Sequence, residues 1–221
     1  MKKLFNFILA ITVITLFGCF GCETNPKFDF PEGMELLIIP GEYWHSNMKF
    51  LFFNTKKSPQ MAAWVENDAG NYVSTILITS RSAKKNWISS PKEGRPEALP
   101  VWNHRHQENV SIDTVTTATP KGGIEARINK ELFTEGNTYT VYFEINHSFD
   151  YNNHWTKNNS GDNGQPSVIY QALFTAGQPF HTALTPIGYG SVDGSNGNIT
   201  IGLENLTTAL NIVKNVYITG E

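Results

Sequence analysis

The fold is decided by an alternating run in the second half of the chain, Tyr139-Thr140-Val141-Tyr142-Phe143-Glu144-Ile145. Successive side chains of an extended strand point to opposite faces, so this run collects apolar side chains on one face and mainly polar ones on the other. A shorter run repeats the pattern, Ile124-Glu125-Ala126-Arg127-Ile128. Both runs predict antiparallel strands that bury one face in a core and expose the other face to water.

Further alternations extend this pattern along the chain. They fall at residues 48–52, 62–65, 168–174, 199–203 and 210–218, and at Tyr72, Ser74, Ile76 and Ile78, which we expect to share one face. A hairpin turn is predicted at residues 68–71. Eight or more short strands without intervening helices predict an all-β fold, an antiparallel β-sandwich. Trp64 lies in mid-strand before the hairpin turn and is a predicted core residue.

The charge balance argues against one class of partner. The chain carries 17 Lys and Arg against 20 Asp and Glu, a net charge of −3. Removal of a leader containing Lys2 and Lys3 leaves 15 against 20, a net charge of −5. No basic run occurs, so nucleic acid is not an expected partner. Both cysteines, Cys19 and Cys22, precede the predicted domain, which therefore has no disulfide.

The first residues have the layout of a bacterial lipoprotein signal. Two lysines follow Met1, an apolar stretch covers residues 7–17, and Leu16-Phe17-Gly18 precedes Cys19. We expect cleavage of residues 1–18 and modification of Cys19 with acyl chains such as palmitate, with Cys22 as the alternative site. An ordinary secretory signal or an uncleaved anchor is the other interpretation. Residues 19–33 then form a lipidated tether and residues 34–221 the sandwich domain, in the periplasm or at the cell surface.

Three long segments without strand periodicity stand out, at residues 80–110, 146–166 and 176–198. Loops of this length are usually functional or mobile. In the first, His104 and His106 form a metal hypothesis, because residues two apart in an extended segment face the same side. His147 or His154 would supply a third ligand. The other interpretation is that these histidines are ordinary polar loop residues.

The second long segment alternates aromatic rings with amide, carboxylate and imidazole groups. This composition suits the rim of a small-molecule or saccharide site, with Asn146, Asp150 and Trp155 as candidate ligand contacts. It also suits a loop that packs on itself, in which Asp150 and the asparagines cap turns and the rings cover the end of the sandwich. Both interpretations remain open at the level of the sequence.

Several blocks of the chain resemble a family of bacterial predicted periplasmic proteins known as domain of unknown function 2271. The blocks are residues 58–70, 95–102, 113–120 and 146–152. The similarity spans most of residues 45–195 and implies an immunoglobulin- or fibronectin-like sandwich. Relatives of this family often accompany membrane flavin-reductase and flavin-attachment systems. The resemblance therefore implies extracytoplasmic electron transfer beside a membrane redox protein.

One of these blocks also resembles the acceptor sequence of flavin-binding electron-transfer subunits. It begins at Asp113 and ends at Thr119, and the resemblance makes the Thr119 hydroxyl the acceptor of FMN through a phosphoester bond. Thr117 stands where the acceptor pattern has Gly, and its side chain restricts close approach. An exposed strand has the same composition. We therefore expect an accessory of flavin-linked electron transfer rather than a self-contained enzyme, the alternative being a binding module for a small molecule, saccharide or metal.

Overall fold

The computed structural model describes residues 33–50, 53–84, 94–106, 115–116 and 123–221. Within these residues lie thirteen strands: β1 (Met34–Pro40), β2 (Ser46–Phe50), β3 (Phe53–Lys57), β4 (Gln60–Asn67), β5 (Tyr72–Thr79), β6 (Val115–Thr116), β7 (Ile124–Ile128), β8 (Thr138–Asn146), β9 (Val168–Thr175), β10 (Phe180–Ala183), β11 (Thr185–Tyr189), β12 (Thr200–Ile201) and β13 (Val213–Gly220). The α-helices described are short: α1 (Ser80–Lys84), α2 (Pro100–Arg105) and α3 (Lys157–Ser160). None of the described helices is long and apolar enough to cross a membrane.

The described strands form two main sheets that pack face to face. One has the order β10-β13-β1-β7 and the other the order β12-β11-β9-β8-β4-β5-β6, while β2 and β3 form a separate ribbon. All pairings are antiparallel except that of β5 with the short edge strand β6. The predicted all-β antiparallel sandwich is confirmed.

The alternating run of β8 builds the centre of the core. Tyr139, Val141, Phe143 and Ile145 are buried on the face that meets the four-stranded sheet, where Leu36 lies on β1. Each fully buried apolar side chain of this size contributes about 1.5–3 kcal/mol relative to its exposed state. The period-two pattern therefore predicted the inner face of the large sheet correctly.

The outer face of the large sheet differs from the expectation of a solvated surface. A second apolar layer forms there, in which Trp64 and Ile169 pack against Leu99 and Trp102 of the segment around α2. Trp64 has no exposed surface, which confirms it as a core residue, although it belongs to this outer layer rather than to the space between the sheets. The expectation of a wet outer face is wrong here because α2 and the residues before it cover the middle of the sheet.

The predicted face of β5 is also wrong, because the strand contains irregularities. The pairing register with β4 shifts between Ala63 and Trp64, so that Ala63 pairs with Leu77 and Trp64 with Thr75. Ile76 is therefore an extra residue in the ladder, and such a bulge reverses the alternation beyond it. As a result Ile76 packs in the inner core whereas Ile78 packs in the outer layer.

The sandwich has two different ends, which we name by their connections. At the turn end, β4 and β5 are joined by a tight turn, and Gly136 and Ala176 close β8 against β9 by a hydrogen bond of 2.8 Å. Gly33 and Glu221, which border one cavity, also lie there. At the loop end, Asn146 of β8 lies opposite Gln60. The loop end comprises residues 41–45, 57–60, 79–83, 94–99, 146–167, 190–199 and 205–212.

Candidate functional site

The long loop after β8 is held in one conformation by the Asp150 carboxylate. The Thr208 hydroxyl donates to the two carboxylate oxygens at 2.7 and 2.8 Å, and Gln165 Nε2 donates to one of them at 2.8 Å. The backbone N–H of Gln165 donates to the Asp150 carbonyl at 2.8 Å, and the Thr207 N–H donates to Gln165 Oε1 at 2.6 Å. Burial raises the pKa of Asp150, opposed by these hydrogen bonds. The loop is thus tied to residues 207–208, far away in sequence.

Gly164 is required at the point where this loop closes. It lies opposite Asp150 in a backbone bridge, and its φ is +74°. A Cβ atom at this position would lie 2.5 Å from the Asp150 carbonyl carbon and oxygen. Glycine alone permits both the left-handed conformation and this close approach of two backbone segments.

Phe149 is held in an unfavourable backbone conformation by this closed loop. Its φ is +65°, a value that costs a non-glycine residue about 1–2 kcal/mol. The Phe149 N–H donates to the Asp162 carbonyl at 2.9 Å, which fixes the residue at the tip. Strain of this kind is retained where the surrounding structure imposes it, and it is common at ligand-contacting sites.

Two cationic side chains from separate segments approach the Phe149 ring. Lys57 Nζ lies 4.2 Å from the ring centroid and Arg95 Cζ lies 5.7 Å from it. Burial lowers the pKa of Lys57, and the charges of Arg95 and Arg81 lower it further, whereas Asp162 acts in the opposite direction. Arg95 and Arg81 are therefore close enough to Lys57 for their charges to repel it. We call Lys57, Arg81 and Arg95 the cationic cluster.

Arg95 is the most buried member of the cationic cluster. Its side chain is only 10% exposed. Nε donates to Glu97 Oε1 at 2.7 Å and Nη1 donates to the Ser148 hydroxyl at 2.6 Å. Nη2 is buried, and no described group accepts a hydrogen bond from it. Nε and Nη1 of the guanidinium thus position the loop, and Nη2 remains without an acceptor.

Five buried polar atoms without a hydrogen-bond partner are found among the described residues. They are His45 Nδ1, Arg95 Nη2, Asn146 Oδ1, Trp155 Nε1 and Asn163 Oδ1. All five belong to the loop end. Buried polar groups in native proteins are nearly always hydrogen-bonded, so their concentration at one end distinguishes it from the rest of the described structure.

His147 contributes a buried imidazole to the same end. Its Nε2 lies 3.0 Å from the Tyr43 carbonyl and 3.2 Å from the Trp44 carbonyl, which identifies Nε2–H as the donor. Burial lowers the pKa of His147 to about 4, against the effect of these two hydrogen bonds. The imidazole is therefore neutral at neutral pH, and it serves to fasten the 41–45 segment to β8.

A buried carboxylate fastens the segment that carries Arg95 to the outer face of the large sheet. Glu144 has no exposed surface, and it accepts hydrogen bonds from Ser167 Oγ at 2.6 Å and from the backbone N–H groups of Val101 and Trp102 at 3.2 and 2.7 Å. Burial raises the pKa of Glu144 to about 7, although all three hydrogen bonds act against the shift. Glu144 thus replaces the missing capping side chain of α2, whose N-cap residue is Leu99.

The histidines of the metal hypothesis lie on and after a helix, so the expectation of an extended segment is wrong. Residues two apart in a helix point in widely different directions. His104 Nε2 lies 2.9 Å from the Gly194 carbonyl, whereas the His106 ring stacks on Trp102 with centroids 4.2 Å apart. Of the suggested third ligands, His147 is engaged as described and His154 contacts the edge of Trp155. In the described part of the chain, no group of three or more His, Cys, Asp or Glu residues is arranged to hold a metal ion.

The three predicted rim residues come together in the loop, but their polar groups point largely into it. Asn146 is 2% exposed and its Nδ2 donates to the Gln165 carbonyl at 3.0 Å. Asp150 is occupied by Thr208 and Gln165, and Trp155 packs edge-on against Tyr189 at 5.9 Å. These contacts match the self-packing interpretation. The cationic cluster was not predicted, because its members lie on separate segments of the sequence.

The remaining predicted sites, Cys19, Cys22, Asp113 and Thr119, lie outside the described residues. The strand between the last two is described: Val115 and Thr116 of β6 pair with Ile78 and Thr79 of β5. Comparisons of the chain with family models, with curated proteins and with solved structures found no significant match.

Proposed function

We propose that the protein is a membrane-anchored, extracytoplasmic lipoprotein that works as a binding module and holds a small ligand at the loop end. The observation that carries this proposal is the concentration of all five unpartnered buried polar atoms at that end. Such groups cost about 1–3 kcal/mol each when they stay unpaired. A ligand that supplies the complementary groups recovers part of this cost on binding.

The rigidity of the loop end supports binding further. Asp150, Gln165 and Thr208 fix the loop before any ligand arrives, as does the Gly164 bridge. Preorganisation of this kind raises affinity because little conformational entropy is lost on association. The polar groups are held by packing rather than displayed on flexible side chains.

The point where the membrane tether joins the domain also supports a ligand site at the loop end. Gly33 lies at the turn end, so a tether of residues 19–33 joins the domain at the end opposite the loops. Fourteen peptide links span at most about 50 Å when fully extended. The loop end is then the end of the domain farther from the attachment point of the tether. Replacement of Cys19 by Ser should release the protein into the soluble extracytoplasmic fraction, and retention of an acylated variant would move the site to Cys22.

The binding proposal is tested by thermal unfolding of the full-length protein in detergent with small molecules grouped by chemistry: neutral saccharides, divalent metals, carboxylates and phosphates. A ligand should raise the melting temperature by mass action. Amide hydrogen exchange should then show protection in residues 146–166. The proposal is wrong if no group stabilises the protein, or if a stabilising ligand protects only the turn end.

A second candidate function, an accessory of flavin-linked electron transfer with FMN on Thr119, is favoured by the position of β6. This strand runs parallel to β5, and Thr116 lies beside Thr79, directly before α1. Thr119 is three residues farther, which limits its Cα to about 11 Å from that of Thr116. A flavin phosphate there would lie near the loop end.

The flavin candidate is tested by co-expression with a flavin transferase and mass measurement of the intact protein. One added FMN, absent from Thr119→Val, is the expected result. An unmodified mass beside an active transferase refutes attachment. In that case Thr117→Gly tests whether the side chain at position 117 blocks the reaction.

A further inference from the structure

Among the described residues of the loop end, carboxylates compensate the charge of the cationic cluster only in part. Glu97 pairs with Arg95 at 2.7 Å, and Asp162 acts on Lys57 from a longer distance. Among the described residues, neither Lys57 nor Arg81 has a carboxylate within 4.0 Å. Mutually repelling cations cost free energy, and the surrounding structure must hold them together.

The geometry of Arg95 indicates which kind of ligand the cationic cluster can bind. The contacts to Glu97 and Ser148 occupy Nε and Nη1, while Nη2 is buried without an acceptor. A guanidinium carries five N–H donors in a fixed plane that matches the oxygens of phosphate and carboxylate groups. Lys57, whose Nζ lies 4.2 Å from the Phe149 ring centroid, supplies a point charge on a half-buried side chain. These features are those of an oxyanion-binding site.

The position of Arg95 in the cationic cluster is fixed independently of any ligand. Ser148, which accepts the Arg95 hydrogen bond, and Phe149, which both cations approach, are consecutive residues of the loop closed by Asp150 and Gly164. Arg95 itself lies just before the segment fastened by Glu144. Lys57 at the end of β3, Arg81 on α1 and Arg95 before α2 thus lie on three separate elements, and the buried Arg95 guanidinium is held by Glu97 and Ser148.

We propose that the loop end binds an oxyanion, the phosphate or carboxylate group of a small ligand, between Lys57, Arg81 and Arg95. This inference rests on the proposed binding function and specifies the chemistry of its ligand. An anion placed there neutralises the repulsion among the three cations. It also supplies an acceptor for the Arg95 guanidinium, which is already oriented by Glu97 and Ser148.

The test uses titration calorimetry of the full-length protein in detergent with inorganic phosphate, sulfate and acetate as separate probes. A single oxyanion held by charge-assisted hydrogen bonds should bind with a Kd of about 1 mM. Lys57→Gln combined with Arg81→Gln should raise that Kd at least about tenfold, since two favourable charges are lost. The relative affinities of phosphate and acetate identify which group the site prefers.

The matched control is Arg127→Gln combined with Lys130→Gln, which removes the same charge at the turn end, where Arg127 is 84% exposed. It should leave the Kd within about twofold, because exposed charges this far away are screened by salt. Equal losses in the two double variants, an unchanged Kd in the first, or no binding of any probe at about 20 mM overturns the inference. If a neutral saccharide stabilises the protein and protects residues 146–166 equally in the first variant, the binding function stands and the anion inference alone fails.

Discussion

The turn end and the loop end close the same two sheets by different means. At the turn end the strands meet in tight turns, and the cavities described there, about 340 and 280 Å³, are open and share Phe180 and Glu221. At the loop end the connections are long, and they are held together by side-chain hydrogen bonds around Asp150. Local backbone geometry is enough to close the turn end, whereas closure of the loop end depends on residues distant in sequence.

The loop end also contains features that cost folding free energy. Phe149 keeps a left-handed backbone, and Glu144 and His147 are ionisable groups buried with shifted pKa values. Glu144 also caps α2, and His147 also fastens the 41–45 segment to β8. The concentration of these features near one end is the pattern expected of a site that contacts a ligand.

The largest expected effect comes from adding one methyl group at each end. Gly164→Ala should destabilise the protein by about 3 kcal/mol or more, because the Cβ meets the Asp150 backbone at 2.5 Å in a left-handed conformation. Gly136→Ala at the turn end has φ +82° but no atom within 4 Å of the new Cβ, and it should cost only about 1 kcal/mol. Urea unfolding measures both. Equal losses would show that the loop end is not closed by this backbone contact.

A second test separates the two buried ionisable groups by pH. The pKa of Glu144 is raised from 4.5 to about 7, so its contribution to stability is present below pH 4.5 and is lost as pH rises towards 7. The pKa of His147 is lowered from 6.5 to about 4, so its contribution is present above pH 6.5 and is lost as pH falls towards 4. Between these limits the two slopes oppose each other, each at most about 1.4 kcal/mol per pH unit.

Replacing one of the two groups should therefore reveal the pH dependence of stability that the remaining group causes. In Glu144→Gln the free energy of unfolding should rise relative to wild type between pH 4.5 and 6.5, and in His147→Gln it should fall over the same interval. The measurement is urea unfolding at half-unit pH steps. Parallel curves for wild type and both variants would mean that neither group is buried in the state described.

The smallest expected effect compares one carboxylate at each end. Asp150→Asn places an amide N–H against the donors of Thr208 and Gln165 and should cost about 1–3 kcal/mol. Glu35→Gln at the turn end loses only a 3.6 Å contact to Arg127, whose side chain is 84% exposed, and should change stability by less than about 0.5 kcal/mol. Thermal unfolding gives both values. A neutral Asp150→Asn would mean that the loop is held mainly by its backbone bridge.

Much of the fold was predictable from local pattern. The period-two runs at Ile124–Ile128 and in β8 predicted both the strands and their inner faces, because each strand keeps its alternation where no bulge interrupts it. The face of β5 was not predictable, because the bulge at Ile76 arises from the pairing with β4 rather than from the sequence of β5. Bulges of this kind depend on the partner strand.

The outer apolar layer was missed for a related reason. The segment Pro100–Arg105 is only six residues long, and the residue before it, Leu99, offers no capping side chain. A buried carboxylate on another strand, Glu144, performs that role. Local sequence shows no such partner, although the apolar residues Leu99, Val101 and Trp102 were a signal that this loop packs on something.

The candidate site was predictable only in part. The 146–166 loop was recognised as a polar end of the sandwich. Its polar groups point into the loop rather than forming an open rim, because Asp150 and Asn146 have hydrogen-bond partners within the loop end. Lys57, Arg81 and Arg95 were not singled out, since each is an unremarkable cation in its own segment. Tertiary structure alone brings Lys57 and Arg95 to one phenylalanine ring and places Arg81 near Lys57.

The central claim, that the loop end holds the ligand, is tested most directly by amide hydrogen exchange of the full-length protein with and without saturating phosphate. The account predicts slower exchange in residues 94–99 and 146–166 and no change in residues 176–183 of the turn end. In the Lys57→Gln, Arg81→Gln variant, the protection should disappear at the same phosphate concentration. Protection confined to the turn end, or protection of the loop end that persists in this variant, would contradict the account.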